Sequence, residues 1–134
     1  MIKKLEKVAK DMRLLYVDDN QELCETNVSF FKDMFQEVDY ALNGIDALKF
    51  YEKKSYDLVI TDINMPRLNG LALIKEIQKS QPEQSIIVVS AYSEIEYLSQ
   101  VNDCNIEYFL TKPVDTKEMM EMIYECLMVK EVQD

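Results

Sequence analysis

A chain of 134 residues, 48% of them hydrophobic, has the size at which one domain closes around one core, so a single globular unit is expected. Its formal net charge of −10 disfavours nucleic acid or anionic lipid as a direct partner and favours a metal ion or a cationic surface. Histidine is absent, which excludes Ser-His-Asp and Cys-His catalysis and any phosphohistidine on this chain, and the three scattered cysteines support neither a disulfide framework nor a zinc site.

Residues 1–12 form an N-terminal extension with Leu5, Val8, Ala9 and Met12 at helical spacing and lysines between them. Its plain reading is a short capping helix or a frayed arm; the alternative is a linker or dimerisation stub. Residues 1–13 sum to +3 and the remainder to −13. No signal peptide opens the chain and no apolar run approaches the roughly 20 residues that span a bilayer, so a cytoplasmic protein without membrane association is expected.

Residues 14–17 read as a strand buried on both faces, the central one of a sheet, and end at Asp18-Asp19. Asn20 caps a helix with the apolar stripe Leu23, Cys24, Val28, Phe31 and Phe35. A more polar strand over 37–41 suits a sheet edge and leads into a helix over 44–54. A third strand over 57–61 ends at Asp62, a turn-rich loop covers 65–70, and Leu71, Ile74 and Ile77 resume helical spacing until Pro82. The β-branched run 85–89 is a fourth strand ending at Ser90, followed by a helix capped at Ser93-Glu94 and stopped at Asn105. Residues 107–111 form the fifth strand before Lys112-Pro113, and Asp115 opens a last helix carrying Met119, Ile123, Cys126 and Leu127. The domain body is expected over 13–129, with a tail over 130–134.

This alternation predicts an α/β fold: a doubly wound, flavodoxin-like, five-stranded parallel sheet of order 2-1-3-4-5 with helices on both faces. With only two glycines a glycine-rich nucleotide loop cannot be assembled. Parallel strands share one carboxyl edge, so Asp18, Asp19, Asp62, Ser90 and Lys112 should converge in one crevice. Three carboxylates, a hydroxyl and an ammonium suit a magnesium ion, a phosphoryl group and a carboxylate nucleophile.

These residues, with the Asp62-Ile63-Asn64-Met65-Pro66 segment, Gly70, Ser90-Ala91, Phe109 and Lys112-Pro113 in register, resemble the receiver domain of bacterial response regulators over residues 12–129. The resemblance implies that Asp62 takes a phosphoryl group from the phosphohistidine of a sensor histidine kinase or phosphotransfer protein. It implies Mg²⁺ held by Asp19, Asp62 and the Asn64 backbone carbonyl, with Asp18 acting mainly through water. Lys112, the Ser90 hydroxyl and the Ala91 amide would stabilise phosphoryl charge, Ser90 and Phe109 would form a switch pair, and the Lys112-Pro113 peptide would be cis. Output would be altered binding of a downstream protein or effector domain, by a monomer or a phosphorylation-dependent dimer.

Asn105 stands where the family often has Gly, Tyr92 and Asn64 flank the path of hydrolytic water, and Phe109 lacks the tyrosine hydroxyl of many relatives. The methionines near the last helix read as core fillers or as a docking patch. Little chain remains beyond residue 129, so a stand-alone regulator or a receiver separated from its effector is expected. Two other classes are weighed: a phosphorylation-independent interaction module, which usually lacks an acidic or lysine member, and a magnesium-dependent phosphatase. The latter typically has a second acid two residues after the nucleophile, where this chain has Asn64.

Overall fold

The computed structural model describes residues 1–91, 93, 96 and 106–133. In chain order these form α1 (Ile2–Ala9), β1 (Arg13–Val17), α2 (Gln21–Phe31), β2 (Glu37–Ala41), α3 (Gly44–Lys53), β3 (Leu58–Thr61), α4 (Gly70–Ser80), β4 (Ile86–Ser90), β5 (Tyr108–Thr111) and α5 (Thr116–Gln133). Apart from Ser93 and Glu96, the helix expected over 93–104 lies outside the described residues, as do Tyr92 and Asn105.

The strands make one parallel sheet of order β2-β1-β3-β4-β5. The sequence expectation of β1 at the centre needs correction: β3 holds that position and β1 lies between it and the edge strand β2. The error has a simple cause. An interior strand next to the edge is buried on both faces as fully as the middle one, so burial alone does not rank them.

Alternation along the strands divides the core into two layers. Leu14, Tyr16, Leu58, Ile60 and Ile87 face α1, α2 and α5. Leu15, Val17, Val59 and Val88 face α3 and α4, where Leu73, Ile74 and Ile77 complete the packing. Side-chain period 2 in the strands and period 3.6 in the helices together require this arrangement. β2 has only Ala41 buried, and Glu37 and Asp39, on the same face as Ala41, are paired by Lys54, with the Tyr56 hydroxyl donating to Asp39 at 2.5 Å. Charge on an edge strand blocks sheet-to-sheet pairing.

Three asparagines start the helices that leave the carboxyl edge or its neighbourhood. The side-chain oxygens of Asn20, Asn43 and Asn69 accept from the amides of Leu23, Asp46 and Ala72 at 3.0, 2.9 and 2.9 Å. Each cap satisfies a donor that the helix itself leaves open, a contribution of about 1 kcal/mol. At the other end of the chain order, α1 is docked rather than frayed. Leu5 and Ala9 are fully buried, and the helix packs against α5. No helix among the described residues is long and apolar enough to cross a membrane.

Candidate functional site

The sheet ladder runs one residue past the strands at the carboxyl edge. The Asp18 amide donates to Ala41 O at 3.1 Å, the Asp62 amide to Val17 O at 3.0 Å, and the Lys112 amide to Ser90 O at 2.9 Å. Backbone pairing with the neighbouring strand therefore fixes the Cα of each of these three residues. Ser90 itself closes β4. The result is a set of polar side chains almost sealed from water, with Asp18 at 1%, Asp62 at 6% and Ser90 at 0% exposure.

Burying carboxylates is costly unless donors surround them. Asp62 Oδ1 accepts from the Ser90 hydroxyl at 2.6 Å, the Ile63 amide at 2.6 Å and the Asn64 amide at 3.3 Å. Its other oxygen, Oδ2, accepts from Lys112 Nζ at 2.6 Å. The same ammonium donates to Asp18 Oδ2 at 2.9 Å, while Asp18 Oδ1 accepts from the Asn20 amide at 2.9 Å. One cation thus bridges two buried anions that would otherwise repel. Burial pulls the Lys112 pKa down, but the hydrogen bonds and charges of Asp62 and Asp18 outweigh it and hold the lysine above its ordinary value.

Asp19 is the exposed member of the acidic group, and its carboxyl lies with those of Asp18 and Asp62 so that one oxygen of each falls within 4.8 Å of the others. Partial burial, followed by the charges of Asp18 and Asp62, raises the Asp19 pKa. Three carboxylates converging without an equal number of cations form a donor set of hard oxygens, which is the chemistry that Mg²⁺ takes. This acidic cluster could hold a metal ion. Beneath it the Cys24 thiol donates to Asp18 O at 3.3 Å; burial and the Asp18 charge push that thiol up to about 12, so it stays protonated and inert.

The loop from Asp62 to Asn69 is clamped by both glycines of the chain. The Gly70 amide donates to Ile63 O at 2.7 Å, and a Cβ on Gly70 would lie 1.9 Å from Asp62 O. The Gly44 amide at the start of α3 donates to Leu68 O at 2.9 Å, and a Cβ there would lie 2.2 Å from that same oxygen. Between the two clamps Arg67 adopts φ 67°, the left-handed region, and its guanidinium comes within 3.7 Å of Asp46.

Of the residues singled out in the sequence, Asp18, Asp19, Asp62, Ser90 and Lys112 meet in one crevice. Asn64 is exposed and reaches the crevice through its amide, and Ala91 follows Ser90 at the surface. Phe109 is partly buried on β5, on the sheet face whose core includes Val88 of the neighbouring β4, three residues before Lys112. The Lys112-Pro113 peptide is cis. Sequence reasoning missed the Ile63 and Asn64 amides on Asp62 and the two glycine clamps. Backbone donors carry no side-chain signature, though Gly70 after a turn-rich loop was a usable hint.

Residues 14–124 match the response regulator receiver domain. The transcriptional regulatory protein DltR of Streptococcus agalactiae is 32% identical over 114 residues, which is 84% of this chain and 50% of that protein. The regulator of RpoS of Escherichia coli is 32% identical over 116 residues, covering 86% of this chain and 34% of its own length. The chain therefore spans half or less of the length of these curated relatives. In fold it resembles the crystal structure of a CheY-like response regulator receiver domain protein from Methanospirillum hungatei, with a TM-score of 0.85, 24% identity and coverage of 93% of this chain and all of the other. Matched along most of its length in sequence, and built on the same sheet order, the chain belongs to the response regulator receiver domain family, the phosphoacceptor modules of two-component signalling.

Proposed function

We propose that Asp62 is the phosphoacceptor of this chain, and that it takes the phosphoryl group from the phosphohistidine of a sensor kinase or phosphotransfer protein. The bond between phosphorus and the imidazole nitrogen breaks, a bond from phosphorus to a carboxylate oxygen of Asp62 forms, and the imidazole leaves with a proton from solvent. The observation that carries this reading is the asymmetric hold on Asp62. Three hydrogen bonds fix Oδ1, whereas among the described residues Oδ2 is engaged only by Lys112 Nζ, a donor on a flexible stem. A fixed nucleophile beside a movable cation is what transfer of a highly charged group requires, since positioning and charge stabilisation supply most of the rate.

Lys112 and the Ser90 hydroxyl, together with the Ala91 amide, neutralise the oxygens of the incoming group. Asp18, Asp19, Asp62 and the Asn64 carbonyl fit a magnesium ion, which when bound offsets the charge of phosphate beside these carboxylates. Ser90 leaves Asp62 Oδ1 when it turns to a phosphoryl oxygen, and Phe109 fills the space it vacates, so that the surface near β5 and α5 changes its affinity for a downstream protein. The chain is a switched signalling module that assists only its own phosphorylation and dephosphorylation. Asn64, in place of a second acid, argues against a turnover phosphatase.

The test is incubation with Mg²⁺ and a small phosphodonor, read by intact mass for wild type and Asp62→Asn. Gain of one base-labile phosphoryl group by wild type alone supports the proposal. Turnover of phosphomonoesters would point to a phosphatase, and no gain in either protein to an interaction module.

A further inference from the structure

The amino edge of the sheet, opposite the crevice, carries a cavity of about 670 Å³ between the ends of α3 and α4. Its walls are the last turn of α3, the turn into β3, Ser80 at the end of α4 and the turn into β4. Both helices begin beside the acceptor loop, at Gly44 and Gly70, and run about 15 Å at 1.5 Å per residue before they end here. The cavity is therefore separate from the acidic crevice.

Two tyrosines form its aromatic wall. The rings of Tyr51 and Tyr56 stack with centroids 6.2 Å apart and planes 18° from parallel. Each ring is pinned by its hydroxyl: Tyr51 donates to Gln84 Oε1 at 2.6 Å, and Tyr56 to Asp39 Oδ2 at 2.5 Å. Gln84 is itself held, because its Nε2 donates to Ser85 O at 3.3 Å. The wall is thus built before any ligand arrives, with Tyr56 buried and Tyr51 the ring more open to solvent.

The electrostatics favour a cation. Crossover helices of a parallel sheet run against the strands, so α3 and α4 bring their C-terminal carbonyls, the negative ends of their dipoles, to this edge together. Glu52 and Glu83 line the cavity, are exposed, and pair with no cation among the described residues. Lys54 is engaged by Glu37 and Asp39, which leaves Lys53, exposed in the last turn of α3, as the lining cation that opposes them. An aromatic face, two helix C-termini and two carboxylates suit a flat, weakly hydrated cation that stacks on the ring while its N–H groups reach carbonyl and carboxylate oxygens. A compact, strongly hydrated ammonium lacks that stacking surface. We infer that this cavity binds a guanidinium group on an aliphatic stem. Free small cations and the arginine side chains of a partner protein both carry that group.

Amide NMR titrations of the full-length protein test the site with three probes. Agmatine supplies the free cation, acetyl-Gly-Arg-Gly-amide the protein-borne one, and n-butylurea a neutral analogue of the same shape. Agmatine should shift the amides of Ser55, Tyr56, Gln81 and Gln84 with a dissociation constant of about 1 mM or tighter, while those of Asp18 and Asp62 stay in place. Tyr51→Leu keeps apolar volume but removes the ring, and Glu83→Lys reverses a charge; each should weaken agmatine about fivefold or more. Tyr51→Phe, which keeps the ring, should retain most of the binding. Glu83→Lys lies at an exposed position, so the test stands even where Tyr51→Leu does not fold. A tripeptide that shifts the same amides identifies a partner's arginine as an occupant, and one that leaves them unmoved assigns the site to free cations. The inference is overturned by the absence of a saturable shift at the cavity, by shifts confined to the acidic crevice, by n-butylurea binding as tightly as agmatine, or by Glu83→Lys binding agmatine like wild type.

Discussion

Gly70→Ala tests whether the clamp on the acceptor loop positions the nucleophile. The added Cβ would sit 1.9 Å from Asp62 O and 2.7 Å from Ile63 Cα, and both neighbours are backbone that cannot rotate away. Reaching ordinary contact requires the Asp62 segment or the start of α4 to move by roughly 1 Å or more. The bond from the Gly70 amide to Ile63 O is then lost, at about 1 kcal/mol, and the crowding adds ~1–3 kcal/mol. A total of about 2–4 kcal/mol leaves a domain of ordinary stability folded. Asp62 would shift relative to Ser90 and Lys112, and a displacement of about 1 Å in a reacting group slows chemistry by ~100-fold. Urea unfolding gives the first quantity and intact-mass phosphorylation kinetics the second. Gly44→Ala is the control, since its clash is with Leu68 and not with Asp62. It should lose stability but keep most of the rate. If Gly70→Ala phosphorylates at the wild-type rate, the clamp does not position Asp62.

Tyr16 is buried in the layer facing α2, where its hydroxyl accepts from Asn27 at 2.9 Å, and burial followed by the Asp18 charge raises its pKa far above the ordinary 10.0. The folded state keeps this proton after the unfolded chain has lost it, so stability is full below pH 10 and falls as pH rises beyond it. Tyr16→Phe should flatten that alkaline fall in pH-dependent urea titrations and cost about 1 kcal/mol at neutral pH, where Asn27 loses an acceptor. An unchanged alkaline slope would refute the assignment. For the acidic cluster, Asp19→Asn should leave the metal-free Tm almost unmoved because the side chain is exposed, yet shrink the rise in Tm that Mg²⁺ produces. An equal rise in both proteins would remove Asp19 from the metal set.

Much of the crevice was legible because parallel strands place their carboxyl ends on one edge. Once four buried runs were recognised, Asp18, Asp62, Ser90 and Lys112 had to be neighbours. Asn20 was equally readable, since a cap acts within three residues of itself. Contacts between distant backbone segments left no such trace. The approach of Gly44 to Leu68 spans two loops, and the Cys24 thiol reaches a carbonyl of β1's end that any sequence would supply. The place of β1 was misjudged because full burial does not separate the middle strand from its neighbour. For α1, period alone showed an amphipathic helix, but only the packing of Leu5 and Ala9 showed that α5 is what its apolar stripe covers.

Under the proposed function one carboxylate, Asp62, carries the phosphoryl group. Borohydride reduction of the phosphorylated protein converts an aspartyl phosphate to homoserine, and peptide mass mapping then locates the change. Homoserine is expected at position 62 in wild type, formed only when Mg²⁺ and phosphodonor are both present. Conversion at Asp18 or Asp19, or none at position 62 in protein that has gained a phosphoryl group, would contradict it.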